Sequence, residues 1–142
     1  MAANSKFAVA THILTTLAYM SKDPAEDGLI SSEYIASSVN TNPVVVRRIV
    51  AELVKAGLVI SHQGKGGGLE LGRSPEEISL LDLYEAMGAP PLFAYNPNAP
   101  NPNCPVSTKM AQVLKPVFSN VQNGVKARLE DMKLSDLVQK IK

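Results

Sequence analysis

Ile30-Ser31-Ser32-Glu33-Tyr34-Ile35-Ala36-Ser37-Ser38-Val39-Asn40-Thr41-Asn42-Pro43-Val44-Val45-Val46-Arg47-Arg48-Ile49-Val50-Ala51-Glu52-Leu53-Val54-Lys55-Ala56-Gly57 spells two helices joined by a polar break. Serines open the first helix, over residues 31–39. Asn40-Thr41-Asn42 interrupts it, and Pro43 stands where a second helix starts. Proline at the first helical position loses no hydrogen bond, and Asn42 before it can cap the free amides. Val46, Ile49, Val50, Leu53 and Val54 then recur at helical spacing up to Gly57, a C-terminal stop. The opposite face carries Val44, Arg48, Ala51 and Lys55, with Arg47 on its flank. A short helix, a tight turn and a second helix that is apolar behind and basic in front suit a reader of the DNA major groove.

The next residues add a wing. Leu58-Val59-Ile60-Ser61-His62 is a short strand, Gln63 to Gly68 a turn with four glycines, and Leu69-Glu70-Leu71 a returning strand. Glycines at 64, 66, 67 and 68 permit positive φ and close approach of backbone amides to a phosphate or groove wall. Lys65 sets one cation at the tip. An adaptor-type winged helix with a plain surface hairpin would need only one or two glycines there.

Upstream, Lys6 before Phe7-Ala8-Val9-Ala10 superficially resembles a secretory leader, but Thr11, His12, Thr15 and Thr16 break the apolar run. Ala10, Ile13, Leu14, Leu17 and Ala18 fall on one helical face instead, predicting a core helix over about 3–20. Downstream, Ser79 and Asp82 form a capping-box-like pair ahead of Leu80, Leu83, Tyr84 and Met87, a short helix that Gly88 stops. Residues 89–105 hold six prolines and four asparagines, a loop and not a packed element. Val106, Met110, Val113, Leu114, Val117, Val121, Val125 and Leu129 then make a helical stripe over about 106–132. Pro116 and Gly124 predict a kink or break in it. A stripe that long outreaches a compact domain of this size and is expected to meet a second subunit. A last helix over 135–141 is expected to pack back on the winged domain.

Length and composition suit one ordinary core: 142 residues, 45% hydrophobic, 19% charged, formal net charge +1. Residues 31–73 hold five Lys/Arg (47, 48, 55, 65, 73) against three Glu (33, 52, 70). That is a weak electrostatic footprint, and a dimer would be needed to enlarge it. No segment approaches the ~18 uninterrupted apolar residues of a membrane span. One cysteine rules out an internal disulfide framework and fits a reducing cytoplasm.

These motifs resemble the Rrf2 family of bacterial winged-helix transcription regulators over nearly the whole chain. Its members include the iron–sulfur cluster regulator, the nitric-oxide-sensing repressor and the cysteine-metabolism repressor. The most specific pieces are Ser32-Glu33-Tyr34-Ile35-Ala36, Leu53-Val54-Lys55-Ala56-Gly57-Leu58-Val59, Gly64-Lys65-Gly66-Gly67-Gly68 and Pro75-Glu76-Glu77-Ile78-Ser79-Leu80-Leu81-Asp82. Asn42 to Arg48 and Asn101-Pro102-Asn103-Cys104-Pro105-Val106 resemble a branch lacking the three-cysteine cluster motif, with members regarded as oxidant sensors. The resemblance implies a mainly α (α+β) fold, a winged helix-turn-helix domain with a long C-terminal dimerisation helix. It divides the chain into a DNA-binding domain (1–88), a Pro/Asn-rich loop (89–105) and a region holding the dimerisation helix and a returning C-terminal helix (106–142). It also implies a homodimer on a double-stranded operator, with recognition helices in successive major grooves and wings in flanking minor grooves. Carried over by position, the DNA-binding residues are Thr41, Asn42, Val44, Val45, Arg47, Arg48, Lys55, His62, Gln63, Gly64, Lys65 and Gly66. Val106, Met110, Val113, Leu114, Val117, Val121 and Val125 fall at the dimer interface. Two departures stand out: Arg47 replaces a common acidic residue, and the wing cation lies at Lys65 where relatives carry arginine at the place of Gln63.

Cluster-binding relatives hold three cysteines before the long helix, and this chain has Cys104 alone. A cluster needs four ligands, mainly thiolates, so no cofactor is expected, and a zinc site fails for want of partners. Cys104 has two readings. Before Pro105 it would sit at a helix N-terminus, where dipole and free amides favour thiolate and hence a redox sensor; otherwise it is a half-buried packing residue. His12, on an apolar helix, is expected in the core or an interface. His62 is either a phosphate contact or an exposed strand residue. No nucleophile motif, P-loop or dinucleotide fingerprint is present, so an enzyme is not expected. The function that emerges is a homodimeric, sequence-specific transcriptional regulator, a repressor, redox-responsive if Cys104 is reactive. The alternative is a winged-helix module that binds protein instead of DNA.

Overall fold

A computed structural model describes residues 3–21 and 28–141 of the chain. Six helices and two strands follow in the order α1 (Ala3–Met20), α2 (Ser32–Val39), α3 (Pro43–Lys55), β1 (Val59–His62), β2 (Gly68–Leu71), α4 (Leu80–Ala86), α5 (Pro105–Glu130) and α6 (Leu134–Ile141). They fall into two units, residues 1–90 with 129–142, and residues 91–128.

The first unit is a winged helix. α1 contributes Ala10, Ile13, Leu14, Leu17 and Ala18 to its core, against Val46, Ile49 and Leu53 of α3. α6 contributes Leu134 and Val138 to the same core. Leu53 is fully buried. Leu53→Ala is therefore expected to cost about 2–5 kcal/mol, the range for removing a buried leucine and leaving a cavity. Denaturant unfolding measures it; a loss below about 1 kcal/mol would show that α3 does not anchor the core.

Local chemistry sets the helix ends. The Ser31 hydroxyl accepts from the Tyr34 amide at 3.1 Å and starts α2. Asn42 Oδ1 accepts from the Val44 amide at 2.9 Å and starts α3, with Pro43 at its first position. α3 ends in a Schellman turn. Leu58 N–H donates to the Leu53 carbonyl and Gly57 N–H to the Val54 carbonyl, both at 3.0 Å, around Gly57 at φ +78°. Ser79 and Asp82 close a reciprocal capping box at the start of α4 (2.9 and 3.1 Å).

Two backbone bridges were not foreseen. Ile30 pairs with Leu69, exchanging hydrogen bonds of 2.9 and 2.7 Å, and so joins the start of α2 to the wing sheet. Ser79 pairs with Lys133, tying the start of α4 to that of α6. The hairpin itself pairs Val59 with Leu71 and His62 with Gly68 in antiparallel register. Val54, expected on the buried face of α3, is exposed; it lies one residue beyond Leu53, past the edge of the core stripe. His12 is also exposed, with Nε2 3.0 Å from the Ser38 hydroxyl, so it is not a core residue.

In the second unit α5 runs unbroken through Pro116 and Gly124, against the expected break. Proline removes one amide and frees the carbonyl of Gln112, but Gln112 is exposed and water can satisfy it. Residues 91–104 hold no helix or strand, yet they lie antiparallel along α5. The Leu92 amide meets Gln122 Oε1 at 3.4 Å, Phe93 and Tyr95 stack near Phe118 (ring centroids 5.7 and 5.0 Å), and the Asn101 amide donates to the Ser107 hydroxyl at 2.7 Å. Residues 91–103 nevertheless stay exposed, so this is a loop as expected, resting on one face of α5 through these few contacts.

Candidate nucleic-acid interface

α2, the turn at Asn40 to Asn42 and α3 build the helix-turn-helix. Asn40 takes φ +56° and its amide donates to the Ala36 carbonyl at 2.9 Å, so the chain reverses within three residues. On α3, Val44, Arg47, Arg48, Ala51 and Lys55 are all exposed, as the helical spacing predicted. Val45 is half-buried and packs on the core, while Thr41 is half-buried in the turn. Asn42 spends its carbonyl oxygen on the cap and retains its amide donor.

The wing tip is a hydrogen-bonded turn. Gly67 N–H donates to the Gly64 carbonyl at 3.0 Å, with φ +79° at Gly66, the third position, as a type II turn requires. Lys65 occupies the second position and is exposed. Gly67 is needed for a different reason than positive φ: a Cβ there would lie 2.2 Å from the His62 carbonyl oxygen. Gln63 donates to the Ser61 hydroxyl at 3.2 Å, and His62 Nε2 lies 3.0 Å from Glu70 Oε1 across the hairpin.

One cleft of about 370 Å³ joins these parts. Arg47 on α3 faces His62, Gln63 and Gly64 of the wing, and Ser31 and Ser32 at the start of α2 complete the lining. The two serines were missed as site residues. The Ile30–Leu69 bridge brings them beside the wing, and a single bridged pair leaves no periodic trace in sequence.

The charges also sort themselves. Lys6 Nζ holds Glu52 at 2.7–2.8 Å, His62 meets Glu70, and Arg73 meets Asp82 at 3.3 Å. Among the described residues Arg47, Arg48, Lys55 and Lys65 have no ion-pair partner. Glu33 is the acid left in the cleft. The exposed face therefore carries more usable positive charge than the residue count suggested.

On α5, Val106, Met110, Val113 and Val117 are exposed by 63, 42, 58 and 51%. Leu114, Val121 and Val125 are half-buried. Cys104 precedes the first helical residue; its carbonyl accepts from the Thr108 amide at 3.1 Å and its thiol is half-buried.

A helix-turn-helix whose second helix shows free cations beside a glycine-tipped wing defines a winged-helix DNA-binding protein. The profile of the Rrf2 family, described as an iron-dependent transcriptional regulator, matches residues 3–140. The chain belongs to the Rrf2 family of transcriptional regulators. It is 42% identical over 136 residues to YwnA of Bacillus subtilis (strain 168), described as a candidate HTH-type transcriptional regulator, covering 95% of this chain and 96% of YwnA. A solved structure described as a candidate DNA-binding protein is 38% identical, with TM-score 0.69 over 93% of this chain and 97% of its own. A candidate transcriptional regulator from Lactobacillus plantarum superposes with TM-score 0.77 at 26% identity, over 96% and 89% of the two chains. Family and relatives are regulators of transcription and not enzymes.

The family description raises the question of iron. Cys104 is the single cysteine of the chain, and its loop supplies asparagine and proline. Among the described residues no three His, Cys, Asp or Glu side chains come together as a metal site. The donor set does not fit a thiolate-bound cluster. No described helix is long and apolar enough to cross a membrane.

Proposed function

We propose that the chain is a homodimeric, sequence-specific DNA-binding repressor that works in the cytoplasm. The observation that carries this reading is the set of exposed, unpaired cations on the outer face of α3, of which Arg47 lines one cleft with the wing, while Glu52 is held by Lys6 and Glu70 by His62. Arg48 and Arg47 would read base edges, with guanine the natural partner of a guanidinium. Lys55, Lys65 and the wing amides would hold phosphates and fix the register. Two copies paired along α5 would present two such faces to successive major grooves, and occupancy of an operator would block transcription. Selection from random duplex tests this. A two-fold symmetric site with half-sites about 10–10.5 bp apart is the expected product. Recovery of no enriched sequence would favour the protein-binding alternative.

Cys104 would give the repressor a redox input. Its position before α5, next to the stripe assigned to dimerisation, means that oxidation to a sulfenic acid or a mixed disulfide adds bulk where the two subunits would be set relative to each other. Operator affinity of the wild type is expected to fall at least about tenfold after peroxide treatment, and that of Cys104→Ser to stay constant. Full affinity of a wild type whose thiol is shown by mass spectrometry to be oxidised would make Cys104 a packing residue.

A further inference from the structure

Glu52 stands in the last turn of α3, four residues after Arg48 and three before Lys55. Residues three and four apart are side by side on a helix, so its nearest neighbours along α3 are two exposed cations. An acid in this turn also works against the helix, whose C-terminal end carries partial negative charge. Left to itself, the carboxylate would pair with Arg48 or Lys55 and lower the positive potential of the face that carries them.

The fold sends it elsewhere. Lys6 reaches over from α1, 46 residues away in sequence, and its Nζ donates to Glu52 Oε1 at 2.8 Å. The same Nζ lies 2.7 Å from Oε2, with the two side chains 33 and 38% exposed. Oε2 itself is closed to solvent. A carboxylate shielded from water stays with its counter-ion, because an unpaired charge in that position is costly. Lys55 lines the same shallow hollow of about 430 Å³, yet Lys6 is the lysine that holds Glu52. Arg48 is left without an acid among the described residues.

We propose that Lys6 is a positioning residue for DNA recognition: by capturing Glu52 it keeps that carboxylate off Arg48 and leaves the guanidinium free for a base edge. The inference rests on the reading of α3 as the recognition helix, and it adds a residue of α1 that acts without touching DNA. Lys6→Met keeps much of the side-chain stem and removes the charge. Glu52 must then turn out to water, and Arg48, one turn back, is there to receive it. Exposed pairs of this kind favour the paired state by a factor of about two to five. DNA has to displace the carboxylate before it can use Arg48, so affinity falls by that factor.

Titration of the selected operator tests this with wild type, Lys6→Met and Lys6→Met combined with Glu52→Gln, each with and without Arg48→Ala. Lys6→Met is expected to weaken binding about two- to fivefold, and adding Glu52→Gln to restore it. Lys6→Arg, which keeps the cation, should bind as wild type does. Arg48→Ala should cost less in the Lys6→Met chain than in wild type, by the same factor. That ratio compares two chains sharing Lys6→Met, so any general loss of folded protein cancels. If circular dichroism shows Lys6→Met unfolded, Lys6→Gln takes its place in the same comparison. A loss that survives Glu52→Gln would put Lys6 on a phosphate, and equal costs of Arg48→Ala in both chains would show that Glu52 never reaches Arg48. Either result overturns the role of Lys6 and leaves recognition by α3 intact. A wild type that binds operator and scrambled duplex equally would overturn the reading of α3, and this inference with it.

Discussion

Val117→Glu combined with Val121→Glu is expected to turn the chain into a folded monomer that binds its operator at least about a hundredfold more weakly. Val117 is exposed and Val121 half-buried on the α5 stripe, and neither belongs to the winged-helix core. The substitutions should therefore leave the DNA-binding unit intact. In a dimer they would place four carboxylates in an apolar seam without partners, a cost of several kcal/mol per pair of subunits. Loss of the dimer turns one bivalent event into two separate half-site events, which removes the 10²–10⁴-fold gain of linked binding. Sedimentation and operator titration measure both effects. A dimer that persists would place the interface elsewhere, and a monomer with undiminished affinity would remove the need for symmetry.

Arg48→Ala is expected to cost about 1–3 kcal/mol on the selected operator, roughly 5- to 150-fold, with a much smaller loss on scrambled duplex. Arg48 projects from the centre of the outer face of α3 and has no ion pair among the described residues, so its guanidinium is free to bridge two acceptors of one guanine. Lys65→Ala should behave in the opposite way. At the second position of the wing turn it meets phosphate, and its loss should weaken both duplexes in similar proportion. Equal proportional losses for Arg48→Ala on the two duplexes would assign it to the backbone and leave specificity to Arg47 and Val44.

The sequence carried the helices because period and punctuation agreed. Asn42-Pro43 and Gly57 bracketed α3 to within a residue, and Ser79 with Asp82 marked the start of α4. The wing was legible because four glycines in five positions have few other uses, although only Gly64 and Gly66 take positive φ. What escaped detection was set by contacts distant in sequence. The Ile30–Leu69 bridge, the lining serines and the bed of the 91–104 loop on α5 depend on single pairs brought together by the fold. His12 stays out of the core because it falls on the other side of α1 from Ala10, Ile13, Leu14 and Leu17. Pro116 did not break α5, because the carbonyl that it frees, on Gln112, is exposed and water can satisfy it. Charge was misjudged too, since a count of acids and bases cannot show that Lys6, from α1, neutralises Glu52.

Sequence-specific DNA recognition is tested most directly by titrating the selected operator and a scrambled duplex over a range of salt concentrations. If Lys55 and Lys65 of each protomer meet phosphate, a dimer contacts about four, and log affinity should fall with log salt at a slope of about −3.6. The operator should remain at least about a thousandfold tighter than the scrambled duplex at each salt concentration. A flat salt dependence, or equal affinity for the two duplexes, would contradict the assignment of the α3 and wing face to an operator.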